Sequence, residues 1–160
     1  MLSPAQISEK LSSHRDSTLQ FFSQLDETQQ NAQIYPEPGG WRTADILTHL
    51  ALSEERFLSL FQGILAGEGG VSADFDIDRY NAESLQTAQT ATWAERMAQF
   101  KQARNALIAF SQSLIAEDLL KEARHPFLGV VPLEKMLKML YRHALLHEAD
   151  IAKALGLGKR

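Results

Sequence analysis

The chain has 160 residues, of which 44% are apolar and 22% charged, the balance of one packed soluble domain spanning 1–160 rather than of a disordered or fibrous chain. Its formal net charge is −4 and its Lys and Arg are scattered, so it offers no basic stripe to a phosphate backbone, and nucleic acid is not an expected partner. With no cysteine there is no disulfide and no thiolate ligand or nucleophile, which leaves His, Asp and Glu for any metal and a cosubstrate for any thiol.

The opening MLSPAQISEK lacks the basic end and apolar core of a signal peptide. Ser3 and Gln6 instead make a capping box with Pro4 at the first helical position, and Ile7, Leu11, His14, Thr18, Phe21 and Leu25 recur at steps of three and four. That is a first long helix, ended by the segment YPEPGG at 35–40. Thr43 is the expected cap of a second helix with an inward stripe of Ile46, His49, Leu50, Ser53, Phe57, Leu60 and Ile64, and with Glu54, Glu55 and Arg56 in water. Gly67, Gly69 and Gly70 stop it. The polar stretch 71–91 holds at most a short helix capped by Asp78 and running through Asn81, Ala82 and Leu85.

A second box, Thr92 with Glu95, opens a third long helix through Trp93, Met97, Phe100, Arg104, Leu107 and Phe110 that ends near Ser113. The following IAEDLLKEARHPFLGV has room for one extra helical turn before Pro126 and Gly129. Pro132 then opens the clearest element, a helix from Leu133 to about Leu155 with Leu133, Met136, Leu140, His143, His147, Ile151 and Leu155 on one side and Gly156 as its stop. Four amphipathic stretches without an alternating strand pattern indicate an all-α antiparallel four-helix bundle with longer crossovers after the second and third long helices. None of them reaches the roughly 18 uncharged apolar residues of a membrane span, so the expectation is a cytoplasmic protein with no membrane partner.

The histidines carry the chemistry. His143 and His147 are four apart on one helix, about 40° around its axis, and both stand where apolar residues belong. His49 stands in the same way on the second long helix. A buried imidazole needs a hydrogen bond or a metal to offset its desolvation, and three of them leave a coordination position open, as in catalytic rather than closed structural sites. Imidazole suits zinc, nickel, iron or copper by type, with zinc or nickel the expectation. His14 on the first helix is read as at most an outer neighbour of the site, and His125, before Pro126, as a loop residue outside it. Glu148 projects about 100° from His147 toward solvent. HALLHE is not the H-E-x-x-H protease motif, because its Glu follows the second His. Trp41 could close the mouth of a pocket or merely staple a helix start, and Tyr80, Asn81, Tyr141 and Arg142 could face a substrate or line a surface.

Three tracts, GGWRTADILTHLALSEERF, FDIDRYN at 75–81 and YRHALLHEADIAKALG, resemble the DinB-like superfamily over nearly the whole chain. That group includes the YfiT-type bacillithiol transferases and the N-terminal domain of mycothiol-dependent maleylpyruvate isomerase. The resemblance implies an up-down-down-up bundle, one divalent metal held by His49, His143 and His147, and homodimers. It also implies an ion that activates the thiol of a low-molecular-weight cofactor for transfer or isomerisation on a small-molecule substrate. Two functions follow as expectations. One is an enzyme whose metal binds a small thiol, or a water, that attacks an electrophile. The other is a non-catalytic, stress-associated ligand-binding or dimeric bundle with structural histidines, against which stands the better packing Leu would give at those positions.

Overall fold

A computed structural model describes residues 2–36, 40–86 and 90–158; Glu37, Pro38 and Gly39 of the expected helix-breaking segment lie outside them. The expected periodicities become four long helices. Helix α1 (Pro4–Ser23) starts at the Ser3–Gln6 box, with both reciprocal hydrogen bonds made. It ends earlier than its apolar pattern suggests, and a single short helix α2 (Glu27–Asn31), boxed by Asp26 and Gln29, precedes the crossover. Helix α3 spans Thr43–Leu65 and α4 Ile77–Gln86. Helix α5 (Trp93–Ser113) opens on the Thr92–Glu95 box, and α6 runs Leu133–Ala154 after Pro132, its end turned by Gly156 at a φ of 65°.

Contacts between the helices fix their directions. Leu2 N–H donates to Glu134 and the Thr18 hydroxyl to Glu148, so α1 and α6 run parallel. Phe22 meets Trp93 and Arg15 meets Asn105, so α1 and α5 are antiparallel. Arg96 donates to Thr48 and Arg104 to Glu54, so α3 and α5 are parallel. The order is therefore up, down, down, up, as the resemblance implied.

Two apolar clusters fill the bundle. One gathers Ile7, Leu11, Phe61, Leu107, Leu133 and Met136; the other gathers Phe22, Ile46, Leu47, Leu50, Phe100 and Ile151. Each such side chain removed from water contributes about 1.5–3 kcal/mol, which is what drives the faces together. Between them lies a polar waist that corrects one expectation. Glu54 is not in water but 2% exposed, bound through both oxygens by Arg104, itself 0% exposed. Arg104 Nη1 also donates to the Leu11 carbonyl at 3.3 Å. Glu54 looks solvated in the sequence because it flanks two charged residues, yet its position faces α5 across the bundle.

Two caps differ from expectation. Arg42, not Thr43, precedes α3, with its N–H held by Asp45 at 2.9 Å, while Thr43 is buried as the first helical residue. Asp76 rather than Asp78 accepts the first N–H groups of α4, from Asp78 and Arg79. A larger difference lies between α5 and α6. The expected extra helical turn is a 3-10 turn (Asp118–Leu120), but it is followed by an antiparallel hairpin that was not expected, of β1 (Glu122–His125) and β2 (Gly129–Pro132). The loop after α3 docks on β1 through Val71 N–H to the Arg124 carbonyl, 3.0 Å, and Arg124 N–H to the Gly69 carbonyl, 2.9 Å. Gly70 sits there at a φ of 89°, and a Cβ on it would lie 2.3 Å from the Arg124 oxygen, so no other residue fits without shifting the strand.

Candidate metal centre

His49 enters the bundle from the first half of α3, and His143 and His147 come from the middle and the second half of α6. Because α3 and α6 run in opposite directions, these ends lie side by side and the three rings converge. Nε2 of His143 is 3.0 Å from Nε2 of His49 and 2.9 Å from Nε2 of His147. Among the described residues these three form the one His, Cys, Asp and Glu group whose donor atoms all lie within 4.8 Å of one another. Burial first, and the neighbouring imidazoles second, push His49 down to about 2; burial and then His147 push His143 to about 3; burial pushes His147 to about 4, with Asp150 pulling the other way. At neutral pH all three rings are therefore uncharged, and each has one nitrogen lone pair to offer.

That arrangement fits a cation and serves poorly as an apolar core. A neutral imidazole has one N–H and one lone pair, so His143 Nε2 can donate to one neighbour or accept from one, but cannot satisfy both. One lone pair or one N–H is left facing its like, at a cost of about 1–3 kcal/mol where water does not reach it. The two separations at His143 are near the roughly 3.3 Å edge of a tetrahedron with bonds of about 2.0 Å, and the three donor atoms all lie within 4.8 Å of one another. The outer nitrogens are prepared to match. Nδ1 of His147 lies 2.7 Å from the Tyr35 hydroxyl, which donates its own proton to Asp150 Oδ2 at 2.7 Å. Tyr35 therefore accepts from Nδ1–H, and Nε2 of His147 is left with its lone pair toward His143. Burial, then the bond to Asp150, raises the Tyr35 phenol well above its ordinary value and keeps it protonated. Ser53 Oγ lies 3.4 Å from Nδ1 of His49.

Trp41 and Tyr35 cover the outer side of the group, with the Trp41 ring 4.7 Å from that of His49 and the Tyr35 ring 5.9 Å from that of His147. On the inner side the three histidines open onto a cavity of about 640 Å³. Its walls are mostly apolar, with Phe57, Leu60, Phe75, Met139, Leu140 and Phe127 among them, and Phe127 is 72% exposed at its edge. Such a volume suits a small organic molecule.

Trp41 covers the cluster, the closing role among its two expected ones, and Tyr80 and Asn81 line the cavity; other expected positions move. Tyr141 is buried and stacks on His14 at 4.8 Å, neither of them lining the cavity, and Arg142 is exposed. Glu148 is not directed to solvent but accepts from Thr18. His125 is not in an open loop: it closes β1, is 3% exposed and lines the cavity. Tyr35 and Asp150 had no sequence signal beyond Asp150 lying three residues after His147 on the same helix face.

The family model described as the DinB superfamily matches residues 10–151. No curated protein matches the chain. Among solved structures, YfiT from Bacillus subtilis, described as "a probable metal-dependent hydrolase with an unusual four-helix bundle topology", superposes with a TM-score of 0.74 at 19% identity, over 99% of this chain and 92% of that one. The structure described as Sibling Lethal Factor Precursor, DfsB, gives 0.70 at 14% identity over 96% and 95%. An uncharacterised protein from Clostridium difficile 630 gives 0.68 at 12% identity over 99% of each chain. At these identities the likeness is one of fold.

Proposed function

The chain belongs to the DinB superfamily, and from that premise we propose that it is a metal-dependent enzyme in which His49, His143 and His147 hold one divalent cation, zinc or nickel, beside a cavity for a small electrophilic molecule. The observation that carries this reading is the meeting of three uncharged Nε2 atoms at 2.9 and 3.0 Å on the wall of that cavity. When bound, such an ion supplies Lewis acidity and lowers the pKa of a thiol or water beside it.

The chain's own residues do the rest. Asp150 and Tyr35 hold the His147 tautomer, so that its Nε2 lone pair is presented without reorientation. Trp41 and Tyr35 shield the outer face, and the apolar walls exclude water and hold the body of the substrate. The reaction class that the resemblance to thiol-dependent DinB-like proteins favours is transfer of a low-molecular-weight thiol to the electrophile, or its isomerisation through such a thiol, with the thiol brought by a cosubstrate because the chain has no cysteine of its own; hydrolysis by a water in the same position is the variant that the YfiT description supports.

Calorimetric titration of chelator-stripped protein with zinc and with nickel tests the reading. One equivalent should bind, and His147→Ala should abolish most of the affinity. Absence of stoichiometric uptake of either metal overturns it, and saturable binding of a small thiol only to the loaded protein would favour transfer over hydrolysis.

A further inference from the structure

The cavity contains two polar groups that the metal site does not use. His125 Nδ1 accepts the backbone N–H of Phe127 at 3.0 Å and of Leu128 at 3.1 Å. Both are donors, so Nδ1 must carry the lone pair and the ring's one proton sits on Nε2. Stacking on Phe57, 4.9 Å between centroids, locks the ring. Its Nε2–H is buried and has no hydrogen-bond partner among the described residues, although the side chain lines the cavity. Arg56 lines the same cavity, its guanidinium stacked 3.5 Å over the Tyr80 ring. Its Nη1 is likewise shielded from water without a partner, and no carboxylate bridges to it among the described residues.

Two orphaned buried donors in one apolar cavity are costly unless an acceptor fills them, at about 1–3 kcal/mol each. Resting on the enzymatic reading above, we propose that Arg56 and His125 form an anion subsite, so that the substrate is an amphipathic organic carboxylate whose charged end binds there while its apolar body lies along Phe57 and Leu60. Arg56 stands seven residues after His49 on α3, about 10 Å along the axis, so its guanidinium is set apart from the reacting end. Arginine offers a planar pair of donors to a carboxylate, and the neutral imidazole adds a third with no charge of its own.

The test uses a matched pair of probes, naphthalene carboxylate and naphthalene carboxamide, which share an apolar body and differ in charge. Calorimetry on the full chain, with and without zinc, should give the carboxylate an advantage of about tenfold or more over the amide in both states. Arg56→Met keeps the aliphatic stem and removes the cation. His125→Asn keeps an acceptor for the Phe127 and Leu128 N–H groups and removes the reaching Nε2–H. Each should reduce the preference for the carboxylate at least several-fold while leaving the amide within about twofold. Equal affinities in the unaltered protein, or no saturable binding of either probe, overturn the proposal without any variant. So does a preference that vanishes on chelation yet survives both substitutions, since the carboxylate then sits on the metal. A protein that takes up no zinc but keeps an Arg56-dependent preference loses the metal reading and retains this one.

Discussion

Two of the buried polar clusters on helix α3 lie on different faces, and they are built in opposite ways. Toward α5, Glu54 meets Arg104, and every strong group finds a partner inside: both carboxylate oxygens are taken and Nη1 turns to the Leu11 carbonyl. Toward α6, His49 meets His143 and His147, and the three Nε2 atoms face one another with more lone pairs than protons to share. The first cluster is closed and holds three helices in register. The second is left incomplete by the chain itself, and incompleteness beside a cavity is what separates a binding site from a buried structural network.

The largest expected effect lies in the closed cluster. Arg104→Met leaves Glu54 buried and unpaired, and urea unfolding should register a loss of about 3–5 kcal/mol, whereas Glu54→Leu combined with Arg104→Met should recover most of it. Zinc affinity of the folded fraction should not change. Next comes the open cluster, where His147→Ala should weaken zinc by more than about 100-fold while the metal-free protein stays as stable as before. If instead the metal-free variant unfolds as easily as Arg104→Met, the histidines are structural and the contrast between the clusters collapses.

Tyr35→Phe sharpens the same contrast at its edge. It keeps the ring over His147 but removes the acceptor for Nδ1–H, and zinc affinity should fall about 10–100-fold with little change in folding. Acid provides a further measurement. His49, His143, His147 and His125 are all held by burial at about 2 to 4 in the folded chain, below the ordinary value of 6.5. The unfolded chain therefore binds more protons in that interval; stability of the metal-free protein is full above pH 6.5 and falls as pH drops toward 4. His125→Asn should flatten that slope by about 1.4 kcal/mol per pH unit in circular dichroism melts, and an unchanged slope would mean that the ring is not buried neutral. The smallest effect belongs to Thr18→Val, which loses the α1–α6 bond to Glu148 and should cost about 1 kcal/mol with zinc binding intact.

The sequence by itself determined the four long helices, their caps at Ser3 and Thr92, the stops of all but the first and the three inward histidines, because a helix is set by neighbours within four residues and its apolar period reports the face it buries. What only the tertiary structure decided is who stands opposite whom. Glu54 reads as a solvated charge until α5 brings Arg104 to it, Tyr35 and Asp150 are strangers 115 residues apart until the crossover lays one against His147, and His125 becomes a cavity donor only once the hairpin turns its ring inward. Spacing along one helix fixes an angle about its axis, but the partner across the bundle depends on how distant segments pack, and no local pattern records that.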